Sequence, residues 1–188
     1  TQDFTLPAQG TMRVQVVDEN DDPVPAKVQL VGFDPYPGPK VASTILIINT
    51  STGMFGDESE DGLVHGIANV QFAGADGDTG SFAAEPGSYQ LVVSRGPRYS
   101  AFTQNVTVTA GATTTVNAKI AKVMDTPGFI SGDWHVHSID SADAEVTREE
   151  RVLTETSEAN DFFPPPDHAA PNAPTSTTPP TAPPPPPA

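Results

Sequence analysis

"YSAFTQNVTVTAGATTTVNAKI", residues 99–120, decides the fold. Phe102, Val106 and Val108 share one phase of a two-residue period. After the short break "AGAT", Thr114, Val116, Ala118 and Ile120 resume it. Successive side chains of a strand point to opposite faces, so this spacing predicts two strands, each buried on one side.

The same grammar extends upstream. "TMRVQVVD" (11–18) aligns Met12, Val14 and Val16, and "ENDDP" then supplies a turn. "VPAKVQLVG" aligns Val24, Ala26, Val28 and Leu30. "SFAAEPGSYQLVVSRG" turns at Pro86-Gly87 and aligns Tyr89, Leu91 and Val93. Short alternating strands at this spacing suit an antiparallel β-sandwich over residues 8–122, long enough for a small core. Residues 33–66, with "DPYPGP" and "GDESEDG", read as a loop insertion carrying one apolar strand, "STILIIN".

Composition narrows the partners. The 188 residues hold 9 Lys and Arg against 24 Asp and Glu, a formal net charge of −15. Such a surface repels nucleic acid, whose binding needs cations that displace counterions. An anionic membrane surface is disfavoured for the same reason. The longest aliphatic run, "ILII", is far too short to span a bilayer. Cysteine is absent, so no disulfide or thiolate site is available.

The pattern changes at residue 128. "GFISGDWHVHS" reads as a short strand. Thr147 and Glu150 have capping-box spacing, and Val152, Leu153, Thr156 and Ala159 form a modest apolar stripe behind them. "DFF" at 161–163 reads as a second strand, so residues 128–168 predict a short βαβ unit. Proline dominates from residue 164 onward. It lacks an N–H and fixes φ, so residues 169–188 read as an extended Pro/Thr-rich tail.

Within the βαβ unit, "GDWHVHSIDSAD" (132–143) holds two of the four histidines. On a strand His135 and His137 aim at one side, while Trp134 and Val136 anchor the other. Asp133 shares the histidine face as a ligand or as an acceptor for an imidazole N–H. Asp143 follows in the loop, and Asp167-His168 stands at the end of the second strand. This donor set predicts a divalent metal of the zinc, manganese or iron type at His135, His137, Asp143 and His168, supported by Asp133 and Asp167.

Residues 131–168 resemble the opening of PHP-type metallohydrolases, most closely the CehA/McbA (carbaryl-hydrolase-like) branch. The D-x-H-x-H motif corresponds to Asp133, His135 and His137, and "PDH" to the second motif, with proline where threonine is usual. The N-terminal region resembles the carboxypeptidase regulatory-like (transthyretin-like) sandwich that often precedes such barrels. The resemblance implies hydrolysis of phosphoester or ester-type bonds by metal-activated water. The later barrel ligands have no counterpart here, so it implies a half-site, inactive in this chain, on a truncated barrel.

A non-enzymatic reading competes with it: an extracellular β-sandwich for structure, assembly or carbohydrate contact. The tail composition suits a secreted, periplasmic or extracellular setting, with a signal peptide removed and O-glycans on its threonines. A sandwich without its barrel exposes Phe129, Trp134 and Phe163, a patch that invites self-association or a protein partner. "DENDD", "DESED" and "ADGDTG" read as solvated turns. The sequons at Asn49 and Asn105 matter only where such sites are glycosylated, and His65 is given no role.

Overall fold

The computed structural model describes residues 8–32, 57–58, 64–65, 67–142 and 144–164. The predicted strand "STILIIN", the acidic run beyond Glu58, and the tail lie outside the described residues. Among the described residues, nine strands and one helix form in order: β1 (Gly10–Val17), β2 (Ala26–Gly32), β3 (Asp57–Glu58), β4 (Val64–His65), β5 (Ile67–Ala73), β6 (Phe82–Ala84), β7 (Gly87–Ser94), β8 (Phe102–Val108), β9 (Thr113–Lys119) and α1 (Arg148–Ser157). The fold is mainly β, a sandwich of a β6-β1-β9 sheet and a β5-β2-β7-β8 sheet. β3 and β4 form a separate two-stranded ribbon.

The predicted alternation builds the core. Met12, Val14 and Val16 face Ala26, Val28, Leu30, Tyr89, Leu91 and Val93, and all are at most 1% exposed. Val106, Val108, Val116, Ala118 and Ile120 complete the cluster. Val24 and Phe102 pack at its margin. Tyr89 is buried as a ring, and its hydroxyl donates to the Glu85 carbonyl at 2.8 Å, so its one polar atom is satisfied.

Two features depart from the expectation. β1 and β9 pair parallel, with Val14 opposite Val116 and Val16 opposite Ala118. Alternation looks alike in both directions, so the sequence pattern carries no sign of this. β5 carries no alternation legible in the sequence, because its apolar residues Val70 and Phe72 fall on the outward phase. Asn69 and Gln71 share the phase of the buried Ala73, and the Gln71 amide donates to Asn69 Oδ1 at 2.9 Å.

The acidic turns are structural. Asp18 Oδ1 accepts the N–H groups of Asn20 and Asp22 at 2.8 and 3.0 Å. Gly77 (φ 73°) turns "ADGDTG" so that Gly77, Asp78 and Thr79 run along β1 beyond the end of β6. Arg13 pairs with Asp78 through both carboxylate oxygens. Hydrogen bonds and the charge of Arg13 hold the Asp78 carboxyl below its ordinary range, and hold Arg13 above its own.

After β9 the chain leaves the sandwich and returns across it as an arm, residues 123–164, with α1 packed against β5 and β2. The predicted βαβ unit reduces to α1 and a single parallel bridge, Gly132 to Phe162. The strand expected through "GFISGDWHVHS" is not formed. Phe129 and Ile130 are 79% and 73% exposed there, where a barrel strand would bury them.

Candidate functional site

The helix of the arm starts as its sequence dictates. Thr147 Oγ1 accepts the Glu150 N–H, and the Glu150 carboxylate accepts the Thr147 N–H at 2.9 Å. The Thr147 N–H, and after it the Thr147 hydroxyl, which donates to the same carboxylate at 2.8 Å, hold the Glu150 carboxyl below its usual range. The predicted stripe is only partly the buried face: Ala159 is buried, and Leu153 and Thr156 are half-buried. Val152 is 46% exposed, whereas Glu155 and Ser157 are buried. Glu155 is retained by the Asn160 amide at 2.8 Å and by Arg151 at 3.7 Å.

The C-terminus of α1 is a Schellman turn. Asn160 N–H donates to Glu155 O, and Ala159 N–H donates to Thr156 O, both at 3.1 Å. Ala159 takes the left-handed position (φ 57°) normally filled by glycine. The last turn has no basic residue of its own. Its partial negative charge is met from the sandwich instead. Arg95 donates to Thr156 O at 2.8 Å and also to Pro25 O, Arg98 donates to Ala159 O, and Lys27 pairs with Glu158. Gly96 (φ 69°) permits this approach, since a Cβ there would lie 2.1 Å from Glu158 O.

Arg98 also pairs with Asp161 at 3.1 Å. Burial opposes ionisation of Asp161, but the Ser131 N–H and the Arg98 guanidinium prevail and hold its carboxyl below the ordinary value. Between the sandwich and the helix end lies an open cleft of about 260 Å³. Arg95, Arg98, Tyr99, Lys122, Asn160 and Asp161 line it. Sequence reasoning missed this cleft: "SRGPRYS" carries no periodicity or motif, and its cations meet the arm only in the folded chain.

The histidine stretch sits at the other end of α1. Asp133 Oδ1 accepts the His135 N–H at 2.9 Å, closing a local turn. The rings of His135 and His137 stack, with centroids 4.9 Å apart and planes 11° apart. Ser141 Oγ meets His137 Nδ1 at 3.0 Å, Arg151 donates to His137 O at 2.9 Å, and Arg148 pairs with Asp140. Val136 is buried as expected, but Trp134 is 69% exposed and leans on Phe162, with ring centroids 5.0 Å apart.

Of the six residues expected at a metal, Asp143, Asp167 and His168 lie outside the described residues. Among the described residues no three His, Asp or Glu side chains gather to hold a cation. No helix among them is long and apolar enough to cross a membrane.

No family model matches the chain, and no curated protein matches it. Three solved structures show its strand-rich likeness. The Bacillus anthracis TIE protein is 12% identical with a TM-score of 0.36, over 73% of this chain and 20% of its own. GBS52, the minor pilin of Streptococcus agalactiae, is 17% identical with a TM-score of 0.39, over 66% and 49%. The group B streptococcus pilus 2b backbone protein is 17% identical with a TM-score of 0.35, over 60% and 41%. The chain thus spans half or less of each of these proteins.

The resemblance to CehA/McbA-type PHP metallohydrolases is corrected: no family model matches the chain, and the stretch expected as the first barrel strand forms no strand. The motif D-x-H-x-H is present as letters but is folded into an Asx-type turn with stacked rings rather than onto a barrel strand. The hydrolase function drawn from that resemblance falls with it.

Proposed function

We propose that this chain is a structural β-sandwich module of an extracellular assembly. In this reading residues 8–122 form the module, the described residues 123–164 are an arm clasped to it, and the Pro/Thr-rich residues 169–188 serve as a spacer. The observation that carries it is the apolar surface left on the arm: Phe129, Ile130 and Trp134 are 69–79% exposed, beside a core whose members are almost wholly buried. Exposed aromatic and aliphatic groups concentrated in one short segment mark a protein contact rather than a solvated surface. The observed patch uses Phe162, 40% exposed, in place of the expected Phe163.

The partner in this proposal is a second copy of the chain. Its net charge of −15 opposes that contact at low ionic strength, so added salt should strengthen it. Sedimentation velocity over a range of concentrations tests the proposal. The expected result is a dimer favoured by salt and lost in Phe129→Ser/Trp134→Ser, with thermal unfolding unchanged because both side chains are already exposed. A chain that stays monomeric at high concentration and high salt contradicts it.

A further inference from the structure

The cleft at the helix end has a composition the acidic chain does not explain. Of only nine Lys and Arg in the sequence, three line this one cavity: Arg95, Arg98 and Lys122. Bringing three cations together is repulsive, and the groups present offset it only in part. Thr156 O and Ala159 O take one N–H each from Arg95 and Arg98. Among the described residues Asp161 is the one carboxylate lining the cleft, and it is shared with the Ser131 N–H at 2.9 Å. Lys122 turns outward to Asp125, whose side chain is 83% exposed. The Arg95 Nε–H is buried with no hydrogen-bond partner.

One unpartnered guanidinium N–H, and three cations against a single lining carboxylate among the described residues, call for an oxyanion. We infer that this cleft binds the carboxylate of a small hydroxylated ligand, of the acidic-sugar class. A guanidinium fork matches two carboxylate oxygens, and Lys122 supplies a point charge beside it by exchanging its exposed Asp125 partner for the ligand. Tyr99, its ring covered by Arg95 at 5.3 Å, lines the cleft with its hydroxyl, and Asn160, its amide held by Glu155 and Ser131, completes the lining. At about 260 Å³ the cleft lies just below the usual range of roughly 300–1,000 Å³ for small-molecule pockets, so it takes one sugar unit rather than a chain. The inference stands on this geometry alone and is independent of the assembly proposal.

The test is an amide-shift titration of the full chain with glucuronate, glucose and inorganic phosphate as separate probes. Glucuronate should shift residues 95–99, 122 and 156–161, and glucose should not. Lys122→Gln, which touches neither α1 nor the core, should weaken glucuronate binding about tenfold and leave the melting temperature unchanged. Equal shifts with glucose, no shift with millimolar glucuronate, or wild-type affinity in Lys122→Gln would each overturn the inference. Phosphate binding without glucuronate binding would overturn the carboxylate assignment.

Discussion

The sandwich and its arm are held together by different physics. In the sandwich, apolar side chains from two sheets close on one another, and the inward faces of β1, β2 and β7 are almost completely shielded from water. In the arm the apolar side chains are largely outside, and the buried ones include Ser138, Ser141, Glu155 and Ser157. What binds it to the sandwich is a set of cations, Lys27, Arg95 and Arg98, aimed at the carbonyls and carboxylates of one helix end. Burial of apolar area is non-directional and tolerates salt. A cation–carbonyl clasp is directional, and its exposed parts are screened. The arm should therefore come away from the sandwich before the sandwich unfolds.

Four outcomes sharpen this contrast. The largest effect is expected in the core. Leu91→Ala removes a wholly buried side chain and should cost about 2–5 kcal/mol of global stability, read from denaturant unfolding. Gly96→Ala should act on the clasp instead. Its Cβ would strike Glu158 O, and its φ of 69° adds about 1 kcal/mol of backbone strain. Protection of α1 amides should fall, while that of β1 and β7 stays near wild type. Equal loss in both regions would break the distinction.

Ala159→Gly should move the arm in the opposite direction. Relief of the left-handed alanine is worth about 1 kcal/mol to the helix end, seen as slower exchange at Ala159 and Asn160 amides. The smallest effect is that of acid. Asp161 and Glu150 both titrate below their ordinary values. Their contribution is complete above the unfolded carboxylate pKa, about 4, and disappears as pH falls through the lowered folded values. Acidification through that window should loosen the arm first, followed by tryptophan fluorescence of Trp134 as its contact with Phe162 relaxes.

The same contrast explains what was legible in the sequence. Met12, Val14, Val16, Leu91 and Val93 announce their face because a half-buried strand must alternate, and the fold followed from them. β5 was hidden because it places Val70 and Phe72 outward, where α1 covers the sheet, and polar Asn69 and Gln71 inward. The capping box at Thr147 and Glu150 was readable because it is local. The clasp was not: Arg98 and Asp161 are 63 residues apart and obey no period. "DWHVH" misled for a related reason. A spacing of two gives a shared direction only on an extended strand, and here Asp133 turns the backbone by capping the His135 N–H.

Native-state hydrogen exchange in low and high salt tests the two-physics account most directly. It predicts that the amides of β1, β2 and β7 exchange only through global unfolding, with little change in salt. Those of α1 should open at a distinctly lower free energy that falls further as salt rises. Exchange of α1 at the global free energy, unmoved by salt, would mean that the arm is an integral part of the core.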